Sequence, residues 1–306
     1  MKILITAKIN PDLDGVACAY AYAELLNLVD RKNEYITGIY GEPQSEVRFL
    51  LEKFNIKGGL IFNPVVEFDK FILVDASELK GMPEIIRANN VIEVIDHREI
   101  NKAAEIFSKA KIQIELVGAA ATLIFEKFQE QKIEIARNAA ILLYGAIFSN
   151  TLNFQIGIAS DRDKCVVRIL EQKFGLSKNL IDEMFKHKTE YINNNLEEVV
   201  NSDFKNFDNG LGIAQLEGFD LEKTIKENLK EVKNILDKLK KQYALNYSFL
   251  TAADIKGGYS FFVVNDEETK LLLSKSIPLS FDANGMAKNN KLLLRKQILP
   301  LLINNL

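Results

Sequence analysis

The chain has 306 residues, 47% hydrophobic and 26% charged, with a formal net charge of −3. That length suits one large domain or two ordinary ones, and the missing basic excess argues against a general nucleic-acid binder. Cys18 and Cys165, the two cysteines, form neither a disulfide framework nor a metal-ligand spacing.

In chain order, "KILITA" (2–7) reads as a first buried strand, followed by a small-residue helical pattern over 16–29. The runs "EYITGIY" (34–40), "FILVDAS" (71–77), "NVIEVIDH" (90–97) and "KIQIELV" (111–117) read as further strands. Amphipathic stretches at 45–54, 82–88 and 119–131 lie between or after them. This alternation predicts an α/β fold, a parallel sheet with helices on both faces. Residues 177–200 are helical and polar, and "NNN" at 193–195 marks a linker placed at 188–195. A smaller α/β domain follows, with a strand in "GLGIAQLEGF" (210–219), one long charged helix, and strands in "YSFLTAADI" and "YSFFVVND". The expected domains are therefore 1–187 and 196–306. With no signal-peptide pattern, and no apolar run near the roughly 20 residues of a membrane span, the chain reads as a soluble cytoplasmic protein.

Ligands of parallel sheets bind beyond the C-terminal strand ends, where Asp12, Asp14, Asp75, Asp96 and His97 all stand. Carboxylates one residue apart in a tight loop can address two cations, or one cation and a water. Hard divalent ions such as Mg2+ and Mn2+ take carboxylate oxygens, and an imidazole tilts the choice toward Mn2+. Asp96 is placed to orient the His97 ring. Any one of these aspartates alone could instead cap the next helix; Asp12, Asp14, Asp75 and His97 together favour a metal or phosphate site. Gly118, before "AAAT", reads as a phosphate-facing helix N-terminus or as helix packing. Arg295 and Lys296, in "LLLRKQILP", read as a phosphate fork or as a solvated positive patch.

The stretches "NPDLDG", "LVDAS", "IDHRE" and "AIFSNTLNF", in this order, resemble the DHH phosphoesterase superfamily. "DFKNF", "GIAQLE" and "LRKQILPLL" resemble the second domain of its manganese-dependent (family II) inorganic pyrophosphatases. The resemblance implies a metal-binding N-terminal domain and a C-terminal domain closing over the cleft. It implies Asp12 in a first metal site, Asp14 in a second, Asp75 bridging, and His97 joining the second. Lys205, Arg295 and Lys296 match the family's phosphate-binding positions. The implied ligand is a small phosphorylated one: pyrophosphate, polyphosphate or a nucleotide. A homodimer is compatible with it.

Three positions depart from the family pattern. Lys8 stands where a metal-binding histidine begins the first motif, Arg98 replaces the second of two histidines, and Asn150 replaces an aspartate. A protonated lysine has no lone pair for a metal, and an arginine cannot release a proton at working pH. The expected catalytic set is Asp12, Asp14, Asp75, His97 and Arg98, with Lys8, Arg98, Lys205, Arg295 and Lys296 facing substrate. Metal ligands come from Asp12, Asp14, Asp75, His97 and Asn150. Three carboxylates and the Lys8 ammonium leave two negative charges, which one Mn2+ or Mg2+ neutralises. One ion is therefore expected, with Asp12 paired to Lys8. The expected activity is slow phosphoanhydride hydrolysis; the alternative is a catalytically impaired protein that binds or senses a phosphorylated small molecule.

Overall fold

Six short apolar runs build the first sheet. They are β1 (Lys2–Thr6), β2 (Glu34–Ile39), β3 (Ile61–Phe62), β4 (Lys70–Val74), β5 (Val91–Asp96) and β6 (Lys111–Ile114). The computed structural model describes residues 1–98 and 102–303. The strands lie in the order β3-β2-β1-β4-β5-β6, every pairing parallel. The first unit, Met1–Met184, adds the helices α1 (Leu13–Val29), α2 (Ser45–Lys53), α3 (Ala103–Ile106), α4 (Ala120–Gln131), α5 (Arg137–Asn150) and α6 (Asp161–Phe174). The boundary with the second unit, Phe185–Leu306, falls inside α7 (Lys178–Asn194).

Side chains on a strand alternate between faces. Leu4, Phe71, Leu73 and Val94 pack with Met82, Ile86, Ala103 and Phe107 into one apolar cluster. The helix α1 packs on β1, β2 and β4 and also against α4 and α5. Its alanines 17, 19, 21 and 23 are all buried, which lets its neighbours come close. At the α5 contact there is no room for a side chain: a Cβ on Gly145 would lie 2.6 Å from Leu50 and 3.1 Å from Leu13. Between β1 and β4 the strand order reverses direction, the switch point where such sheets open a crevice beyond their C-terminal ends.

The second unit contains α8 (Leu196–Asp203), β7 (Lys205–Phe207), β8 (Leu211–Gly218), α9 (Leu221–Glu227), α10 (Leu229–Gln242) and β9 (Tyr247–Asp254). It ends with β10 (Tyr259–Val264), α11 (Glu267–Ser276), β11 (Met286–Asn289) and α12 (Arg295–Ile303). Its sheet runs β11-β10-β9-β8-β7, with β8 and β9 parallel and the other pairs antiparallel. The two faces are buried separately. Ala214, Leu216, Leu250 and Phe261 pack with residues of α8, α9 and α10. Ile213, Phe249 and Phe262 pack with residues of α11 and α12.

Local chemistry corrects three expectations. No α-helix covers 82–88; Gly81 (φ +81°) and Pro83 make turns that lead into a single 3-10 turn, Ala88–Asn90. The long charged helix is two helices, interrupted at Asn228, whose side-chain amide donates to the Thr224 carbonyl. The segment read as a linker, 188–195, is helical through Asn194, because Leu180, Ile181, Met184, Phe185 and Ile192 recur at helical spacing and are buried. Among the described residues no helix is long and apolar enough to cross a membrane.

Candidate metal centre

Asp12, Asp75 and His97 follow strands at the switch-point crevice, whereas Asp14 lies in α1 and Asn150 ends α5. Asp12 ends the loop after β1 and caps α1, its Oδ1 accepting from the Gly15 amide at 3.0 Å. The capping alternative therefore holds for Asp12, whatever else it does. Asp14 is buried in the first turn of α1, yet it caps a different helix. Its Oδ2 accepts from the Ala120 amide at 2.7 Å and its Oδ1 from the Ala121 amide at 2.8 Å, at the N-terminus of α4. That N-terminus, read as a possible phosphate seat, already holds a carboxylate. Asp75 follows β4 in the left-handed region (φ +49°), with its amide donating to the Ile95 carbonyl at 2.9 Å. A non-glycine residue is held there only when its surroundings over-determine it. His97 follows β5.

Three of these side chains converge: Asp14, Asp75 and His97 each present a ligand atom within 4.8 Å of the others. Nε2 of His97 lies 3.4 Å from Asp75 Oδ1 and 3.9 Å from Asp14 Oδ2. Its Nδ1 lies 3.1 Å from the Val117 carbonyl, which can only accept, so Nδ1 carries a proton in either charge state of the ring and Nε2 faces the carboxylates. Asp96, expected to orient the ring, does something else. Its oxygens accept from the His97 backbone amide at 2.8 Å and from Ser77 at 2.5 Å.

Burial and the charges of Asp75 and Asp14 push the Asp12 carboxyl up to about 7. Burial and the Asp75 charge likewise raise Asp14, to about 6. Burial alone would lower His97, but its hydrogen bond to Asp75 and the charge of Asp14 push it up to about 9. Burial would raise Asp75, yet His97 and the Arg98 guanidinium hold it below the usual carboxylate range. Asp12 and Asp14 thus resist ionising beside Asp75, a cost that a bound cation relieves. Oδ1 of Asp75 is also buried without a well-formed hydrogen bond. A carboxylate oxygen with only long contacts to His97 and Arg98, a second carboxylate and an oriented imidazole make a donor set that fits a divalent cation.

The sequence carries two family domains in order. A model of the DHH family, N-terminal domain, matches residues 2–147, and a DHHA2 domain model matches 182–304. The chain belongs to the DHH superfamily. Among its relatives is the manganese-dependent inorganic pyrophosphatase of Methanothrix thermoacetophila, 29% identical over 316 residues, covering 98% of this chain and 96% of that one. A crystal structure from Methanococcus jannaschii, assigned to the family II inorganic pyrophosphatases, matches with TM-score 0.72 and 25% identity. It covers 99% of this chain and 98% of the other. An exopolyphosphatase-related protein from Bacteroides fragilis shares the fold (TM-score 0.51, 12% identity), covering 98% and 90%.

Within this DHH frame the three departing residues have partners of their own. Lys8 pairs with Glu78 at 3.5 Å; among the described residues it makes no ion pair with Asp12, contrary to expectation. Glu78 sits only three residues after Asp75, and nothing in its spacing announced a partner for Lys8. The cation on Asp75 is Arg98, whose Nη2 lies 3.5 Å from Asp75 Oδ1 and 3.2 Å from the Asp75 carbonyl, while its Nε lies 3.5 Å from Asp96. Asn150 turns its amide nitrogen inward, 2.8 Å from Asp14 Oδ2 and 3.2 Å from His97 Nε2. In that orientation it donates; it joins a ligand set only with the amide rotated. Glu99, at the end of the "IDHRE" stretch, lies outside the described residues.

In the DHHA2 unit, Lys205 on β7 and Lys296 on α12 are exposed. Arg295 is mostly buried and engaged. Its Nη1 donates to Asp203 Oδ1 at 2.6 Å and to the carbonyls of Asp203 and Ile213 at 2.7 and 3.2 Å. One edge of the fork thus ties the end of α8 to β8, which sequence reading missed because the partners lie far upstream. Arg295→Ala is expected to cost about 1.5–3 kcal/mol of folding stability, the range for hydrogen bonds to a charged group. A urea unfolding midpoint unchanged from wild type would refute that bracing role.

Proposed function

We propose that this DHH protein is a metal-dependent phosphohydrolase acting on a phosphoanhydride, inorganic pyrophosphate or short polyphosphate, and that it turns over slowly with one divalent ion. The observation that carries this reading is the convergence of Asp14, Asp75 and an imidazole whose Nε2 is aimed at them. The likeness to a manganese-dependent inorganic pyrophosphatase along 98% of the chain supports the substrate class. A divalent cation there supplies Lewis acidity for a phosphoryl oxygen and an activated water.

The chain's own residues do the remaining work. Asp14, Asp75 and His97 hold the ion, and Asp12 adds negative charge beside it. Arg98, bound to Asp75 and Asp96, occupies electrostatically the place of a second cation, which is the reason for one ion rather than two. Its partly exposed guanidinium can still bind a phosphate oxygen, but it gives no proton to a leaving group. Arg295, Lys205 and Lys296 are proposed phosphate ligands; Nε and Nη2 of Arg295 remain for an anion once Nη1 is anchored.

The locked Arg98 also favours the second reading, a protein that binds a phosphorylated ligand without efficient turnover. Phosphate release from pyrophosphate and tripolyphosphate, with Mn2+ and with Mg2+, separates the two. Slow release with about one ion bound per chain, against two in two-metal hydrolases, is the expected result. Ligand-induced thermal stabilisation with no release supports the binder, and two bound ions refute the one-ion proposal.

A further inference from the structure

The two carboxylate-facing groups that depend on backbone support take it from one short segment. Val117 offers the carbonyl that orients His97, and Ala120 and Ala121 offer the amides that hold Asp14. Small errors in that segment would move an imidazole and a carboxylate at once. Something has to hold it still, and its own sequence, "VGAAAT", brings almost no side chain able to do so.

The holding group is Asp163, fully buried in the first turn of α6. Its Oδ2 accepts from the Gly118 amide at 2.8 Å, and its Oδ1 accepts from the Thr122 hydroxyl at 2.5 Å. The grip therefore closes on both sides of Ala120 and Ala121. Gly118 leaves no slack: a Cβ there would stand 2.6 Å from Thr151 Cγ2 and 2.8 Å from Asp163 Oδ2. Asp163 also forms a capping box with Ser160, accepting from its amide and hydroxyl at 2.7 and 2.6 Å. A capping box needs only the Ser160 bonds. The bonds to Gly118 and Thr122 go beyond it.

We infer that Asp163 is a positioning residue for the cation site, setting Asp14 and His97 through residues 117–122. The inference rests on the reading that Asp14, Asp75 and His97 hold a divalent ion. Partners that orient metal ligands from outside the coordination shell typically contribute about 10–100-fold to metal affinity.

Mn2+ titration calorimetry on the full chain, well below each variant's unfolding temperature, tests it, with the Co2+ absorption spectrum as a readout of coordination. Asp163→Ala should weaken Mn2+ binding by about 10–100-fold and alter the Co2+ spectrum. Asp163→Asn should stay within about threefold, because its carbonyl can accept from Gly118 while its amide donates to Thr122. Ser160→Ala removes the cap hydroxyl but leaves the grip, so it should lower thermal stability with affinity unchanged. Should Asp163→Ala fail to fold, Thr122→Val decides the matter, with an expected loss of about threefold or more. Wild-type affinity in Asp163→Ala, or in Thr122→Val where that variant decides, overturns the inference, as does an equal loss in Ser160→Ala. Absence of saturable Mn2+ binding in the wild type overturns the cation reading itself, and the positioning role with it.

Discussion

Asp14→Ala is expected to abolish the thermal stabilisation that Mn2+ confers and to destabilise the metal-free protein by about 2–5 kcal/mol. The second effect follows from two backbone amides, those of Ala120 and Ala121, that lose their acceptor at a buried helix N-terminus. Each unsatisfied buried donor costs about 1–3 kcal/mol, and the α4 dipole loses the anion that complements it. The first effect follows from ligand loss. A ligand at a hundredfold excess over its Kd stabilises the folded state by about 2.7 kcal/mol, and that increment should vanish. Asp14→Asn separates the two: one amide oxygen still accepts a backbone N–H, so stability falls less, while the charge needed for the cation is gone. Thermal unfolding with and without Mn2+ reads both effects. An Asp14→Ala protein that Mn2+ still stabilises as it does the wild type would exclude Asp14 from the ligand set.

The triple variant Lys8→His, Arg98→His, Asn150→Asp should bind two Mn2+ ions and hydrolyse pyrophosphate faster than wild type by about 100-fold or more. That is the range a positioned general acid or base contributes. The geometry explains why the three changes act together. Removing Arg98 frees Asp75 and Asp96 from their shared guanidinium. Replacing Asn150 turns a donor against Asp14 Oδ2 into a second carboxylate, stable only if a cation lies between them. Replacing Lys8 removes an ammonium whose charge already acts on Asp75. The metal-free variant should accordingly melt below wild type and the Mn2+ form above it. A folded triple variant with one bound ion and no gain in rate would show that the three residues do not limit the site.

The order of elements and the positions of the candidate ligands were legible because both are local properties. Apolar runs of four to eight residues, alternating with helical patterns, announced β1, β2, β4, β5 and β6. Asp12, Asp14, Asp75 and His97 could be placed at strand exits by counting from those runs. The misreadings of 82–88 and of the charged helix arose where turn residues overrode a plausible amphipathic pattern, Gly81 and Pro83 in one case and Asn228 in the other. The short β3 and β7 carry too few residues to show a period at all.

What each charged group touches was decided only by the tertiary structure. The sequence by itself determined an α/β DHH-type chain with acids and a histidine after its strands. It could not assign Arg98 to Asp75 and Asp96, Lys8 to Glu78, or Asp14 to the amides of α4 106 residues away. Sheet order brings β1, β4 and β5 side by side, so residues distant in the chain share one crevice. There burial strengthens charge interactions, and a few tenths of an ångström select one partner over another. Asp163 shows the limit most plainly. From the sequence it is an ordinary capping acid beside Ser160; its second grip, on Gly118 and Thr122, exists because α6 packs back on α4.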